Sequence, residues 1–332
     1  MSNLIDEYLI HKEMVGNRAI STVNKYRKYL LAFEKFLEDT PIQEATRQQI
    51  EDFVGRYAHV ELKLSPSGRK PLVAAVRGFF GWLESQGHIV RSPAASIPHP
   101  KVGRKLPVAM QLSNAERLLM QPDLSTFIGV RDAAILSILI GSGPRVAGVA
   151  GLNDSSLLWY TTDGTQHLNI KLVEKGGKER IVPAHQDTMW IIRAYLGHEE
   201  LEAIDRSLPD GDQVLFVSTK NRTVPEHEYY GERRRLSTRS IDTMIKKYGA
   251  KAGIPEKELH AHALRHLFGA ELAEGDVDLL VRQALMGHAD PKTTEIYSHL
   301  ATRKLTKASR AASPLSKIYT PTKDLAQKME TK

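Results

Sequence analysis

The side chains that could do chemistry lie near the C-terminal end of the 332-residue chain. His262 and Arg265 occur within the sequence HALRH, and their i, i+3 spacing would place both on one face of a helix. His288 follows in the sequence LMGH, and Tyr297 comes nine residues later. This order of imidazole, guanidinium and phenol groups suits an enzyme that holds a phosphodiester between cations and attacks it with a phenol oxygen.

Metal-free cleavage of a phosphodiester needs a nucleophile, cations for the pentavalent phosphorane, and an acid for the leaving 5′ oxygen. Arginine suits the second task because its planar fork pairs with phosphate oxygens and stays charged. Arg265 is one candidate, and a second arginine must come from elsewhere in the chain. A lysine ammonium can supply the proton. An unperturbed phenol has a pKa near 10, so Tyr297 would need surrounding cations to react as a phenolate.

The histidines also allow a rival reading as a metal site. His260, His262 and His266 crowd one stretch, and imidazole is a common zinc ligand. A zinc site usually adds a carboxylate or cysteine at a matching spacing, but the chain has no cysteine and no HExxH sequence. We therefore expect neither a metal nor another cofactor, and we expect His260 and His266 to be helix-end or surface residues.

Composition is compatible with a polyanionic partner but does not decide the function. The net charge is +7 and the pI is about 9.3, yet residues 301–332 hold eight Lys or Arg and two Asp or Glu, which leaves the body nearly neutral. No apolar run approaches the roughly 20 residues needed to cross a bilayer, and the N-terminus lacks a signal-peptide core. Together with the absence of cysteine, this predicts a soluble cytoplasmic protein with no membrane partner.

The elements that would position these residues fall into two parts. Apolar residues recur at helical spacing over residues 21–38, 46–58 and from about Pro71 to Gly87, and no alternating strand pattern appears before residue 100. The first part is therefore predicted to be a helical bundle. Prolines and basic residues then mark an extended linker. The candidate DNA-binding side chains in these two segments are Lys25, Lys28, Arg69, Lys70, Lys101, Arg104 and Lys105.

The second part is predicted to be mainly helical with a small β-hairpin, so the fold class is α+β. Ser113 and Glu116 form a capping-box pattern at the start of a helix. A buried helix over 129–140 precedes a glycine-rich stretch, and residues 167–173 and 180–183 read as the strands of a hairpin. A short strand is predicted at 214–217, and helices are predicted over about 238–252, 261–274 and 277–286. Arg239, at the start of one of these helices, is a further DNA-binding candidate.

These motifs resemble the C-terminal signature of the tyrosine recombinases, or phage-type integrases. The chain is most similar to simple two-domain members, such as chromosome-dimer-resolving recombinases and integrases of mobile elements. The resemblance assigns Lys175 in the hairpin turn as the general acid, with Lys178 as the alternative. Gly148 occupies the position where the family usually has an acidic residue, and Pro144 also departs from the family pattern. The implied catalytic set is Arg145, Lys175, His262, Arg265, His288 and Tyr297.

The resemblance also implies an architecture and a reaction. It predicts a helical core-binding domain over 1–95, a basic linker over 96–110, a catalytic domain over 111–300 and a docking tail over 301–332. A family member would cleave and rejoin DNA through a 3′-phosphotyrosyl bond to Tyr297 and a Holliday junction, without metal or ATP. The implied partners are double-stranded DNA with paired inverted half-sites, three further copies of the chain in a homo-tetramer, and a host accessory protein or partner recombinase. The alternatives are a type IB topoisomerase-like relaxing enzyme and a catalytically impaired DNA-binding accessory protein.

Overall fold

A computed structural model describes residues 3–103, 108–174, 177–221, 224–287 and 311–319. The chain divides into two compact units, Met1–Lys105 and Leu106–Lys332. The described residues are mainly helical and include one three-stranded antiparallel sheet, which confirms the predicted fold class. None of the described helices combines the length and the apolar character that crossing a membrane requires.

The N-terminal unit is a bundle of helices around an aromatic core. Its helices are α1 (Asn3–Met14), α2 (Ile20–Phe36), α3 (Arg47–Asp52), α4 (Ala58–Val60) and α5 (Pro66–Ser85), with a π-helical turn over Phe53–Tyr57 between α3 and α4. The rings of Phe33, Phe53 and Phe80 are fully buried, and Phe33 contacts each of the other two. The predicted start near Pro71 is wrong. Helix α5 begins at Pro66 because the Ser65 hydroxyl accepts a hydrogen bond from the Gly68 N–H and caps it.

The second unit is built around one buried helix. Its helices are α6 (Leu112–Leu119), α7 (Phe127–Ser142), α8 (Val146–Ala150), α9 (Gln186–Leu196), α10 (Glu199–Glu202), α11 (Thr238–Lys251), α12 (Ala261–Glu274) and α13 (Leu279–Met286). Every residue of α7 except Ile128 is buried, because α9 and α12 pack against it. An apolar helix of this kind belongs in the centre of a unit rather than on its surface.

The sheet lies beside α8 and α9 and runs in the order β1 (Leu157–Thr162), β2 (Thr165–Glu174) and β3 (Lys178–Pro183). Strands β2 and β3 form the predicted hairpin, with Leu172 opposite Arg180 and Glu174 opposite Lys178. Strand β1 was not predicted. The expected strand at 214–217 forms only isolated bridges, although all four of its residues are fully buried.

The predicted capping box at Ser113 is wrong, because the N-cap residue of α6 is Gln111, two residues before Ser113. The buried carboxylate of Glu258 accepts hydrogen bonds from the Gln111 N–H and from Nδ2 of Asn114. A residue far along the chain therefore supplies the carboxylate acceptor for the N-cap N–H, which a capping box takes from a glutamate within the helix.

A short C-terminal segment, Ala311–Tyr319, packs against this same unit. Leu315 is fully buried, and the Ser313 hydroxyl donates to the Gly141 carbonyl at the end of α7 over 3.2 Å. Lys317 pairs with the buried Glu271 of α12. The segment therefore covers the ends of α7 and α12.

Candidate active site

The turn after α7 presents Arg145. Helix α7 ends at Gly143, whose backbone is left-handed with φ +55°. A Cβ at Gly143 would lie 2.6 Å from Cδ1 of Phe268, so both the backbone and the space favour glycine here. Arg145 follows as the N-cap residue of α8 and is half-buried.

Arg265 is the buried centre of the site. It lies on α12 and is only 5% exposed. Its Nη1 donates to the Gly143 carbonyl over 2.7 Å, and its Nη2 donates to the Met286 carbonyl at the end of α13. One guanidinium therefore joins the turn that carries Arg145 to the helix that precedes residue 288.

A third arginine, Arg180 on β3, joins this cluster and was missed in the sequence. Its Nη1 donates to the carbonyl of Leu285, the residue before Met286. The available signal was the hairpin register, since Arg180 lies opposite the buried Leu172 and so faces inward.

The electrostatics show that the three guanidinium groups influence one another. Burial, followed by the charges of Arg180 and Arg145, lowers the pKa of Arg265 to about 10. Burial and then the charge of Arg145 lower the pKa of Arg180 to about 10. Arg180 and Arg265 therefore remain cations at neutral pH, and the repulsion that they experience favours an anion that binds among the guanidinium groups.

The histidines of α12 occupy different environments. His262 is exposed, although Arg265 one turn later is buried. The rings of His262 and His266 have centroids 6.4 Å apart. Burial, then the neighbouring His262, His260 and Arg265, lowers the pKa of His266. His260 is the N-cap residue, and its Nδ1 accepts from the Ala263 N–H over 3.0 Å, which confirms the expected helix-end role.

No metal cluster is evident in the described part of the chain: it places no group of three or more His, Cys, Asp or Glu side chains where they could hold an ion. Three of the predicted catalytic residues, Lys175, His288 and Tyr297, lie outside the described residues. Lys178 is described and opens β3 as an exposed side chain opposite Glu174.

Gly148 lies in α8 against the sheet. A Cβ there would meet Leu172 Cδ2 at 3.5 Å and the Val173 carbonyl at 3.6 Å, which are ordinary contacts. The position therefore leaves room for a small side chain, and glycine is not required by close packing.

The DNA-binding candidates are mostly exposed. Lys25 and Lys28 are exposed on α2, and so are Lys70 and Lys101, whereas Arg69 is half-buried. Arg104 and Lys105 lie outside the described residues.

Arg239, exposed in the first turn of α11, lines a surface pocket of about 630 Å³. The cationic residues around this pocket are Arg131, Lys220, Arg233, Arg235, Arg239 and Lys247. The carboxylate of Asp132 also lines it, but it is paired with Arg131 over 2.7 Å. The pocket is therefore positively charged overall.

Comparison with known proteins adds to this geometry. Residues 109–304 match the model of the phage integrase family, and residues 5–87 match that of the phage integrase N-terminal SAM-like domain. The tyrosine recombinase XerC of Thermodesulfovibrio yellowstonii is 30% identical over 94% of this chain and 97% of its own. XerC of Proteus mirabilis is 29% identical over 96% of this chain and 95% of its own.

A solved structure shares the fold. The XerH site-specific recombinase bound to a palindromic difH substrate covers 88% of this chain and 80% of its own, with a TM-score of 0.62 and 20% identity. The family match spans more than half of the chain, and it includes the arginine cluster described above. The chain belongs to the phage integrase family and is a tyrosine recombinase.

Proposed function

We propose that this recombinase cleaves and rejoins double-stranded DNA at paired inverted half-sites, through a covalent 3′-phosphotyrosyl bond to Tyr297 and a Holliday junction. The observation that carries the proposal is the convergence of Arg145, Arg180 and Arg265: Arg265 donates to the carbonyl of Gly143, in the turn that presents Arg145, and Arg180 and Arg265 donate to consecutive carbonyls at the end of α13. Such a cluster is suited to a phosphoryl group whose negative charge grows in the transition state.

In the proposed reaction, the Tyr297 oxygen attacks the scissile phosphorus and forms a new P–O bond. The bond from phosphorus to the 5′ oxygen breaks, and Lys175 supplies the proton that the leaving oxygen takes up, with Lys178 as the alternative donor. The released 5′ hydroxyl then attacks the phosphotyrosine of a partner strand and restores both the phosphodiester and the phenol. The phosphodiester energy is conserved, so the cycle needs no ATP.

The arginines divide the work on the phosphate. Arg145 and Arg265 pair with the non-bridging oxygens, because guanidinium forks match phosphate geometry. Arg265 is held by the carbonyls of Gly143 and Met286, which fixes its direction before substrate arrives. His262 contacts the phosphate or takes the phenol proton, and His288 hydrogen-bonds the phosphate or tunes the leaving group.

The DNA duplex itself is held by charge outside the reacting centre. The pocket that Arg239 lines has an excess of cations, and the N-terminus of α11 opens onto it through Ser237 and Ser240. Helix N-termini and cationic side chains both favour a phosphate backbone. Lys25, Lys28, Arg69, Lys70, Lys101, Arg104 and Lys105 are the proposed backbone contacts of the first unit and the linker.

The proposed assembly is a tetramer on two duplexes, with residues 301–332 contributing to protomer docking. Part of this tail, Ala311–Tyr319, packs against its own chain in the described structure. A host accessory protein or partner recombinase is a further proposed partner of this assembly.

The test begins with the selection of a cognate site from random duplex DNA, followed by a nicked suicide substrate that traps the covalent adduct. Wild-type protein is expected to form an adduct at Tyr297, whereas Tyr297→Phe binds the site and forms none. Tyr230→Phe is the matched control, because Tyr230 is 56% exposed, and we expect it to leave the adduct yield unchanged. Adduct formation by Tyr297→Phe would disprove the nucleophile assignment.

The general acid is tested with a substrate in which sulfur replaces the leaving 5′ oxygen, because a thiolate leaves without a proton. Lys175→Gln is expected to cleave the ordinary substrate poorly and the sulfur substrate well, while Lys178→Gln cleaves both. The reverse pattern assigns the acid to Lys178. Relaxation of supercoiled DNA without a preferred site would favour a topoisomerase-like activity instead.

A further inference from the structure

Strand β3 directs the charged side chain of Arg180 toward the protein interior and the apolar side chain of Ile181 toward solvent. Arg180 lies opposite Leu172, and opposed residues of an antiparallel pair point to the same face. Leu172 is fully buried, and so is Val182 two residues after Arg180, whereas Ile181 between them is 53% exposed. This reverses the usual distribution of charged and apolar residues, which indicates that Arg180 has a specific partner inside.

That partner is the C-terminal end of α13. Arg180 donates to the Leu285 carbonyl, and Arg265 donates to the next carbonyl, that of Met286. The helix stops immediately afterwards at Gly287, which has a left-handed backbone. The last carbonyls of a helix carry partial negative charge and lack partners within the helix, so cations at this end are favourable.

The same helix end is packed as well as hydrogen-bonded. Leu285 and Met286 are buried in a small cluster with Phe268 and Leu272 of α12. Arg265 therefore reaches the end of α13 from α12, and Arg180 reaches it from β3. Two guanidinium groups from different elements hold two consecutive carbonyls.

We propose that Arg180 is a positioning residue that acts through Arg265, a role that rests on the proposed contact between Arg265 and the scissile phosphate. With Arg180 in place, each of the two carbonyls has its own guanidinium donor. Without it, Arg265 is the guanidinium donor that remains at these two carbonyls among the described residues, and it is drawn toward the Leu285 carbonyl. Its fork then turns away from the direction in which it would meet a phosphate oxygen.

The first experiment compares Arg180→Gln with Lys171→Gln in the full chain on the suicide substrate. Lys171 is the matched control, because it lies on the outer face of the same hairpin, opposite Ile181. We expect Arg180→Gln to reduce the single-turnover cleavage rate about 10- to 100-fold, the effect of losing one charged hydrogen bond, while the DNA dissociation constant changes less than about 3-fold. Lys171→Gln is expected to keep its cleavage rate. An equal loss in both variants would overturn the proposal.

A double-mutant cycle tests whether the effect passes through Arg265. In an Arg265→Lys background, Arg180→Gln is expected to slow cleavage by less than about 3-fold, because the group it positions is already altered. A loss as large as in the wild-type background would assign Arg180 an independent role and overturn the proposal. Arg180→Lys keeps the charge and should recover part of the rate, which distinguishes positioning from misfolding.

Hydrogen exchange gives a measurement that does not depend on cleavage. Peptides covering Leu279–Gly287 are expected to exchange faster in Arg180→Gln than in wild type, and at the wild-type rate in Lys171→Gln. Unchanged exchange in Arg180→Gln would overturn the proposal. Failure of the proposed function would show separately, as wild-type protein that forms no covalent adduct.

Discussion

Gly143 offers a sharp test of how the catalytic arginines are held. Alanine at this position would place a Cβ 2.6 Å from Cδ1 and 2.9 Å from Cβ and Cγ of the buried Phe268, on a backbone with φ +55°. The left-handed backbone costs about 1–2 kcal/mol for a residue with a Cβ. The overlap with the ring adds about 1–3 kcal/mol, the usual range for overpacking a core.

The matched control is Gly253→Ala in the same unit. Gly253 has φ +64°, and a Cβ there would meet nothing within 4 Å, so this variant carries only the backbone cost. We therefore expect Gly143→Ala to lower the free energy of unfolding by about 1–3 kcal/mol more than Gly253→Ala does. For a unit of this size, that difference corresponds to a thermal midpoint about 2–12 °C lower.

The assays are urea and thermal unfolding of the two variants, followed by single-turnover cleavage below both midpoints. The Gly143 carbonyl accepts from Arg265, so Gly143→Ala should also cleave more slowly while it is still folded. Gly253→Ala should cleave at the wild-type rate. Equal destabilisation by the two substitutions would mean that Phe268 gives way freely, and it would refute the packing argument.

Two further predictions concern the C-terminal segment. Leu315→Ala should lower the free energy of unfolding by about 2–5 kcal/mol in urea titrations, because the side chain is fully buried; a loss below about 1 kcal/mol would show that the segment does not hold its place. The hydrogen bond to Glu271 raises the pKa of Lys317 in the folded protein. The pair therefore stabilises the protein fully at pH values below the ordinary lysine pKa near 10.4. This stabilisation is lost as the pH rises through the raised pKa of Lys317 in the folded protein. The thermal midpoint of Lys317→Met should therefore lie below that of wild type at neutral pH and approach it in alkaline buffer; a gap that widens with pH would contradict this.

Much of the fold could be predicted from local signals. Helix α11 begins at Thr238, as predicted, because the Ser237 hydroxyl caps it through the Ser240 N–H. Helix α12 was predicted with its observed bounds, since its capping and its C-terminal glycine are both local. The capping box at Ser113 failed for the opposite reason, because the acceptor at the start of α6 comes from Glu258.

From the sequence, residues of the candidate site could be identified only where they belong to a motif with recognisable spacing. Arg265 and Arg145 were chosen from the sequence, and the structure brings both into one cluster with Arg180. Arg180 was missed because its neighbours Ile181 and Val182 are both apolar and do not reveal which face is buried. Only the pairing with Leu172 settles that question, and pairing is a property of two strands.

The order of contacts around α7 has a consequence for biosynthesis. Arg131 donates to the Val217 carbonyl, Tyr248 donates to Asp132, and Ser313 donates to the Gly141 carbonyl. These partners lie 86, 116 and 172 residues away along the chain. The apolar helix α7 is therefore synthesised long before the segments that pack against it. Contacts this distant form slowly, and exposed apolar surface invites aggregation meanwhile. Chaperone supply and translation speed should therefore affect the soluble yield of the intact chain, and messages truncated before codon 311 should yield insoluble product.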